Sequence, residues 1–323
     1  PWHEDNGKCS SGALLIDLLG DREAAAYFSR MATAAWAARE SGHTGNFFNV
    51  TWALPGVSRS GMAATAAYFR EQAWYYDLMR GWDGRCAHQG IPGEGGDNYS
   101  GWDCTGAYLL GYALPLRKVL LTGRKPCVAP PLPREAVDET IASGRDFTYW
   151  AGKNGYDGRT TEALLKGLSS WSPAVRKRSA QSLGRRDGDF VPQLLKMLDG
   201  PDRDSRYGAC EALGVLGPKA DAAADRMRAL LNDRDPWLKH LAAEALPRMG
   251  PGVRAASVPD LLRAADRKDA AAPRGRVQGT MAEARFSPSP GKREPKSILA
   301  GSLEGADSTL LRAAVKALLK NED

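Results

Sequence analysis

Between Thr160 and Asp266 apolar residues recur every three or four positions, and the pattern then recurs in blocks. SRYGACEALGVLGP (Ser205 to Pro218) and LKHLAAEALPRMGP (Leu238 to Pro251) share Glu-Ala-Leu-x-x-x-Gly-Pro at a shift of 33, and VRKRSAQSLG (Val175 to Gly184) precedes SRYGACEALG by 30. Each block predicts a helix closed by Gly or Pro and then a second helix, such as Phe190 to Leu198, with Val191, Leu194, Leu195 and Leu198 on one face. In LNDRDPWLK (Leu231 to Lys239), Asp235 is placed to cap a helix and Pro236 takes its first position. Units of this length that bury one another predict a solenoid. Its register requires Leu183, Leu213 and Leu246 to occupy equivalent buried positions.

The first 125 residues have a different helical grammar. Ala13 to Leu19 closes on Gly20, Arg22 to Glu40 is rich in alanine and aromatics, and Gly106 to Leu121 closes on Gly123. Met62, Ala66, Phe69, Ala73 and Tyr76 form an apolar stripe at helical spacing. Some helices follow polar, glycine-bearing lead-ins: HEDNGKCSSG (His3 to Gly12), GHTGN (Gly42 to Asn46) and DNYSGWDCTG (Asp97 to Gly106). In GHTGNFFNVTWALPG (Gly42 to Gly56), Pro55-Gly56 predicts an early helix end. This alternation fits an α/α toroid, whose inner helices all start at one mouth and bring the lead-ins together there.

Composition adds limits. At 43% hydrophobic and 25% charged over 323 residues, the chain is of globular type, and no apolar run is long enough to span a membrane. It opens on Pro1, shows no signal-peptide pattern, and carries a helix-like Leu310 to Leu319 without a partner, so it reads as cut at both ends and its compartment stays open. Five cysteines at irregular spacing make neither a disulfide framework nor a zinc-finger pattern. Nearly all of the net charge of +6 falls in one segment: Arg267, Lys268, Arg274, Arg276, Arg285, Lys292, Arg293 and Lys296 stand against Asp269, Glu283 and Glu294. Four prolines and little apolar periodicity make that segment a basic flexible loop rather than a nucleic-acid surface.

The repeats resemble HEAT repeats of the short subclass also found in phycobilisome lyases. HEDNGK, GHTGNFF, YYDLMRGWDGRC and YLLGYALPLRKVLLTG, in that order and followed by these repeats, resemble an uncharacterised bacterial family that joins a terpenoid-cyclase-like toroid to HEAT-type repeats. The resemblance covers most of the chain and implies a ring with further helix pairs. The fold class is therefore all-α, a partial α/α toroid followed by a HEAT-like α-solenoid. The expected divisions are the toroid over 1–125, a linker over 126–159, repeats over 160–266, the basic loop over 267–298 and the start of a further helical repeat over 299–323.

The superfamily's chemistry is not copied here. The Asp-x-Asp-Asp box of protonating cyclases is absent, and Ser100 stands where the prenyltransferase-like zinc site would place a histidine. Asp83, Cys86 and His88 in WDGRCAH fall in one short loop, so neither metal nor cofactor is expected. Carbohydrate sites combine aromatic platforms with carboxylates and amides. The lead-ins supply such residues: His3, Asn6, His43, Asn46, Asp83, Tyr99 and Trp102 as ligand-binding candidates, and His43, Asp103, Glu4 and Asp5 as catalytic ones. Each has a structural alternative: Asp5 and Asn6 cap the helix that follows, Trp52 joins a core, Asp83-Gly84 makes a turn. Two functions follow. One is a binding or scaffolding protein, with a protein partner on the solenoid and a carbohydrate or other small molecule in the toroid mouth. The other is a carbohydrate-active enzyme, a glycoside hydrolase or polysaccharide lyase, with its site in that mouth.

Overall fold

The computed structural model of the chain describes residues 6–38, 46–88, 101–116, 118, 126–145 and 155–266. They belong to two compact units, Pro1–Gly155 and Tyr156–Asp323. Apart from two isolated antiparallel bridges, the regular elements among them are helical. None of these helices is long and apolar enough to cross a membrane.

In the first unit, α1 (Asn6–Leu19) stops where Gly20 takes a φ of 81°, and Asp21 caps α2 (Arg22–Ala34) by accepting from the Ala24 N–H at 3.1 Å. Then follow α3 (Asn46–Arg59), α4 (Met62–Glu71), α5 (Ala73–Met79), α6 (Thr105–Ala113) and α7 (Arg134–Ser143). Two directions run through these helices. Ser10 lies against Gly56 and Asp17 pairs with Arg59, so contacts ascend along α1 and α3 together and the two are parallel. Arg30 bonds Glu139 and Thr140 while Trp36 Nε1 donates to Ile141 O, which makes α2 and α7 parallel. Contacts from Ser60–Leu132 to Glu71–Arg145 do the same for α4 and α7. Tight reversals at Gly20 and Gly61 separate these two sets.

Three sequence expectations are corrected in this unit. Pro55 and Gly56 lie inside α3 rather than ending it. The Pro55 carbonyl accepts from Ser58 Oγ and Arg59 Nη1 at 2.8 and 2.9 Å, and the Gly56 N–H donates to Ser10 Oγ at 2.8 Å. A Cβ on Gly56 would stand 2.7 Å from Ser10 Cα, so the pair marks a close helix crossing. The stripe is also displaced: Met62, Ala66 and Ala73 face solvent, the helix breaks at Gln72, and Ala64 and Ala67 pack on Val137 and Ile141. Those last two belong to α7, within the stretch expected to be a linker over 126–159. An amphipathic helix there supplies the partner that turns α4.

Asp17 and Arg59 form a buried ion pair. Arg59 Nε and Nη2 both reach Asp17 Oδ2, at 3.1 and 3.0 Å, and Asp17 Oδ1 accepts from the Val128 N–H at 2.7 Å. A paired, fully bonded carboxylate is the form in which a charge tolerates such burial.

The second unit holds α8 (Thr161–Gly167), α9 (Pro173–Gly184), α10 (Val191–Leu198), α11 (Arg203–Leu216), α12 (Ala224–Leu230), α13 (Pro236–Ala245) and α14 (Pro251–Asp266). Thr160, Ser172, Asp202 and Asp235 cap α8, α9, α11 and α13, each by accepting from backbone N–H groups. Helices α9, α11 and α13 stack as one row, with α8, α10 and α12 packed against them. Leu183, Leu213 and Leu246 are fully buried along that row, as the period requires. Side chains also bridge the units of the stack. Arg176 donates to the Ser170 and Trp171 carbonyls and reaches Asp204 at 3.0 Å; Arg206, at the matching place, donates to Leu198 O and reaches Asp233 at 2.7 Å. The stretches 267–298 and 299–323, expected as a basic loop and a further repeat, lie outside the described residues.

Candidate functional site

After α5 the chain makes a small three-armed knot. The Gly81 N–H donates to Arg85 O at 2.7 Å and the Ala87 N–H to Met79 O at 2.8 Å, which sets Arg80 opposite Cys86. Gly84 supplies the left-handed residue of the turn, with a φ of 82°. A third arm joins when the His88 N–H donates to Trp102 O and the Cys104 N–H to Cys86 O, at 2.9 and 2.8 Å, setting Ala87 opposite Asp103. The third arm runs directly into α6.

The floor beneath the knot is aromatic. Phe69 stacks on Tyr112 with ring centroids 4.4 Å apart, Tyr76 meets Tyr108 edge-on at 4.9 Å, and Tyr108 donates to Met79 Sδ at 3.1 Å. This cluster fixes α5 to α6 and with them two arms of the knot. Burial pushes the Tyr108 phenol far above its usual range, so it stays a neutral donor.

Two carboxylates sit on the exposed rim. Asp83 Oδ1 accepts from the Arg85 N–H at 3.1 Å and Oδ2 from Arg85 Nε at 2.6 Å. Asp103 Oδ1 accepts from the Thr105 N–H at 2.9 Å, while Thr105 Oγ1 accepts from the Cys86 N–H at 2.8 Å. Hydrogen bonds from the Arg85 backbone and guanidinium hold Asp83 below the usual carboxylate range; the Thr105 hydroxyl and N–H do the same for Asp103. Both are therefore ionised acceptors at neutral pH. Glycoside cleavage needs a carboxyl raised enough to give up a proton, and neither meets that need. Trp82, at the tip of the turn, is 100% exposed and Trp102 is 51% exposed.

Of the residues expected at a site, the structure brings Asp83, Trp102 and Asp103 into one knot. Asn6 and Asn46 open α1 and α3, which run in the same direction, and their side chains lie outside the described residues, as do His3, Glu4, Asp5, His43 and Tyr99. Trp52, weighed as a core residue, is largely exposed. Among the described residues no three His, Cys, Asp or Glu side chains are placed to hold a metal ion. Asp83 turns to Arg85, and His88 is buried with Nδ1 3.3 Å from the Tyr75 hydroxyl, so the WDGRCAH residues do not converge.

Sequence reasoning missed Trp82, Arg85 and the buried His88–Tyr75 contact. It also missed Gln72, whose amide is wholly buried with neither polar atom bonded among the described residues. Trp82 was legible, because an exposed turn at Asp83-Gly84 puts its neighbour at the tip. The others depend on pairing between distant segments.

The second unit carries a separate open groove of about 600 Å³ between α8 and α10, lined by Glu162, Leu165, Lys166, Gln193 and Met197 among others. It contains none of the expected site residues.

A family described as a domain of unknown function, DUF6288, matches residues 1–123, and HEAT repeats match residues 161–246 and 191–282. No curated protein and no solved structure matches the chain. The C-terminal part is thus a HEAT-repeat array, an architecture suited to protein-interaction scaffolds.

Proposed function

We propose that the chain is a non-catalytic binding and scaffolding protein. Its HEAT array offers a protein partner the groove between α8 and α10, and its N-terminal unit, read as an arc of an α/α toroid, binds a carbohydrate at the knot. The observation that carries the reading is that one knot exposes Trp82 and Trp102 and also carries two carboxylates held below their usual range. Flat aromatic faces stack on sugar C–H surfaces and carboxylates accept from hydroxyls. The same lowered carboxylates argue against a glycoside hydrolase that takes its general acid from Asp83 or Asp103.

Titrating neutral and basic oligosaccharides against the full chain, with tryptophan fluorescence and calorimetry as readouts, tests the knot. Binding is expected without release of new reducing ends, and Trp82→Ala or Trp102→Ala is expected to weaken it at least tenfold at unchanged melting temperature. Release of new reducing ends by the unaltered chain would refute the non-catalytic reading, and its loss in Asp83→Asn or Asp103→Asn would assign the chemistry to these carboxylates. For the groove, Lys166→Glu is expected to abolish capture of a partner held by the unaltered chain; equal capture would place the interface elsewhere.

A further inference from the structure

The knot brings two cysteines face to face. Ala87 lies opposite Asp103 in an antiparallel bridge, so Cys86 lies opposite Cys104, and the Cys104 N–H donates to Cys86 O at 2.8 Å. The reciprocal bond is not made, because the Cys86 N–H goes to Thr105 Oγ1. Residues directly opposite in an antiparallel pair nonetheless have Cα atoms about 4.5–5.5 Å apart and project their side chains to one face. A disulfide requires Cα atoms roughly 4.4–6.8 Å apart. Both residues are free thiols, Cys86 partly exposed and Cys104 buried. The side chains are also in electrostatic reach of each other: burial pushes the Cys104 thiol up, and a charge on Cys86 pushes it further.

We propose that Cys86 and Cys104 form a reversible disulfide by exchange with a low-molecular-weight disulfide, tying the arm that carries Trp102 and Asp103 to the arm that follows Trp82 and Asp83. The inference rests on the register of the knot and is independent of any carbohydrate ligand. Cys86, the accessible partner, gives up its proton and its sulfur attacks the small disulfide RSSR. One RS⁻ leaves and is protonated to RSH, and Cys86–S–SR remains. Cys104 then gives up its proton, its sulfur attacks Cys86 Sγ, and the second RS⁻ leaves as RSH. Two protein thiols are oxidised and one small disulfide is reduced to two thiols. The bond encloses residues 87–103 in a covalent loop and fixes the start of α6.

The test uses the full chain, reduced and then exposed to oxidised glutathione at mildly alkaline pH, alkylated and mapped by mass spectrometry. A cross-link between Cys86 and Cys104 is expected, with Cys9, Cys127 and Cys210 still reduced and the melting temperature raised by roughly 5–10 °C. Cys104→Ser is expected to stop with one glutathione on Cys86, whereas Cys86→Ser leaves Cys104 unmodified because its sulfur is buried. Full alkylation of both cysteines in exposed, folded protein, as judged by circular dichroism, would overturn the proposal. So would a Cys104→Ser variant that takes no glutathione, or a cross-link that forms with Cys127 in equal yield.

Discussion

Glu211 shows how a row of helices can change one carboxyl. It lies on α11 between α9 and α13, and its Oε2 is shut off from solvent with no partner among the described residues. Burial pushes it up to about 7; Arg176 and Lys177 of α9 and Arg248 pull it down, while Glu244 of α13 pushes it up. Because the folded state holds this proton more tightly than the unfolded chain, the stability linked to Glu211 falls as pH rises from about 4.5 to 7 and the full penalty applies above that window. The first repeat has Gln181 at the matching place, a neutral side chain of the same length. We predict that Glu211→Gln raises stability at pH 8, by no more than about 3 kcal/mol and read as a higher melting temperature, and changes it little at pH 4.5. A pH-independent shift, measured by thermal unfolding across that range, would show that the ionisation of Glu211 is not the cause.

At the scale of elements, the crossing of α1 and α3 depends on one missing methyl group. Gly56→Ala would drive a Cβ into the Ser10 backbone, which cannot rotate away, so the helices must part. A loss of about 1–3 kcal/mol is expected in denaturant unfolding. Gly106→Ala in α6 meets nothing within 4 Å and is expected to be neutral or slightly stabilising. The same crossing explains which elements were legible. Local signals found their targets: Gly20 ends α1, Asp235 and Pro236 start α13, and three leucines at the repeat spacing are buried. Pro55-Gly56 was misread because its meaning lies on another helix, in the hydroxyl of Ser10. The face of α4 was misread because α7, some seventy residues on, decides which side is covered. In the knot, Asp83, Trp102 and Asp103 were legible as turn and helix-start residues, while the Cys86–Cys104 register is set by pairing between segments that no local pattern reports.

On the scale of the whole molecule, the two units are held in different ways. In the first, helices distant in sequence interlock: Asp17 bonds Arg59 and the Val128 backbone, and Arg30 bonds Glu139. In the second, the rungs Arg176–Asp204 and Arg206–Asp233 join each repeat only to the next. Such a stack behaves as a one-dimensional chain of nearest-neighbour links. Under mechanical load it should act as a series of small catches. Drawn from its ends in optical tweezers, the array is expected to peel repeat by repeat, each release lengthening the tether by on the order of 100 Å, the span of some thirty extended residues. The interlocked first unit, with contacts that must break together, is expected to yield in one larger event. A single rupture releasing the entire array would contradict this picture. Arg206→Ala should make the second catch the weakest, so a protein that carries force through this array would lengthen there before it breaks anywhere else.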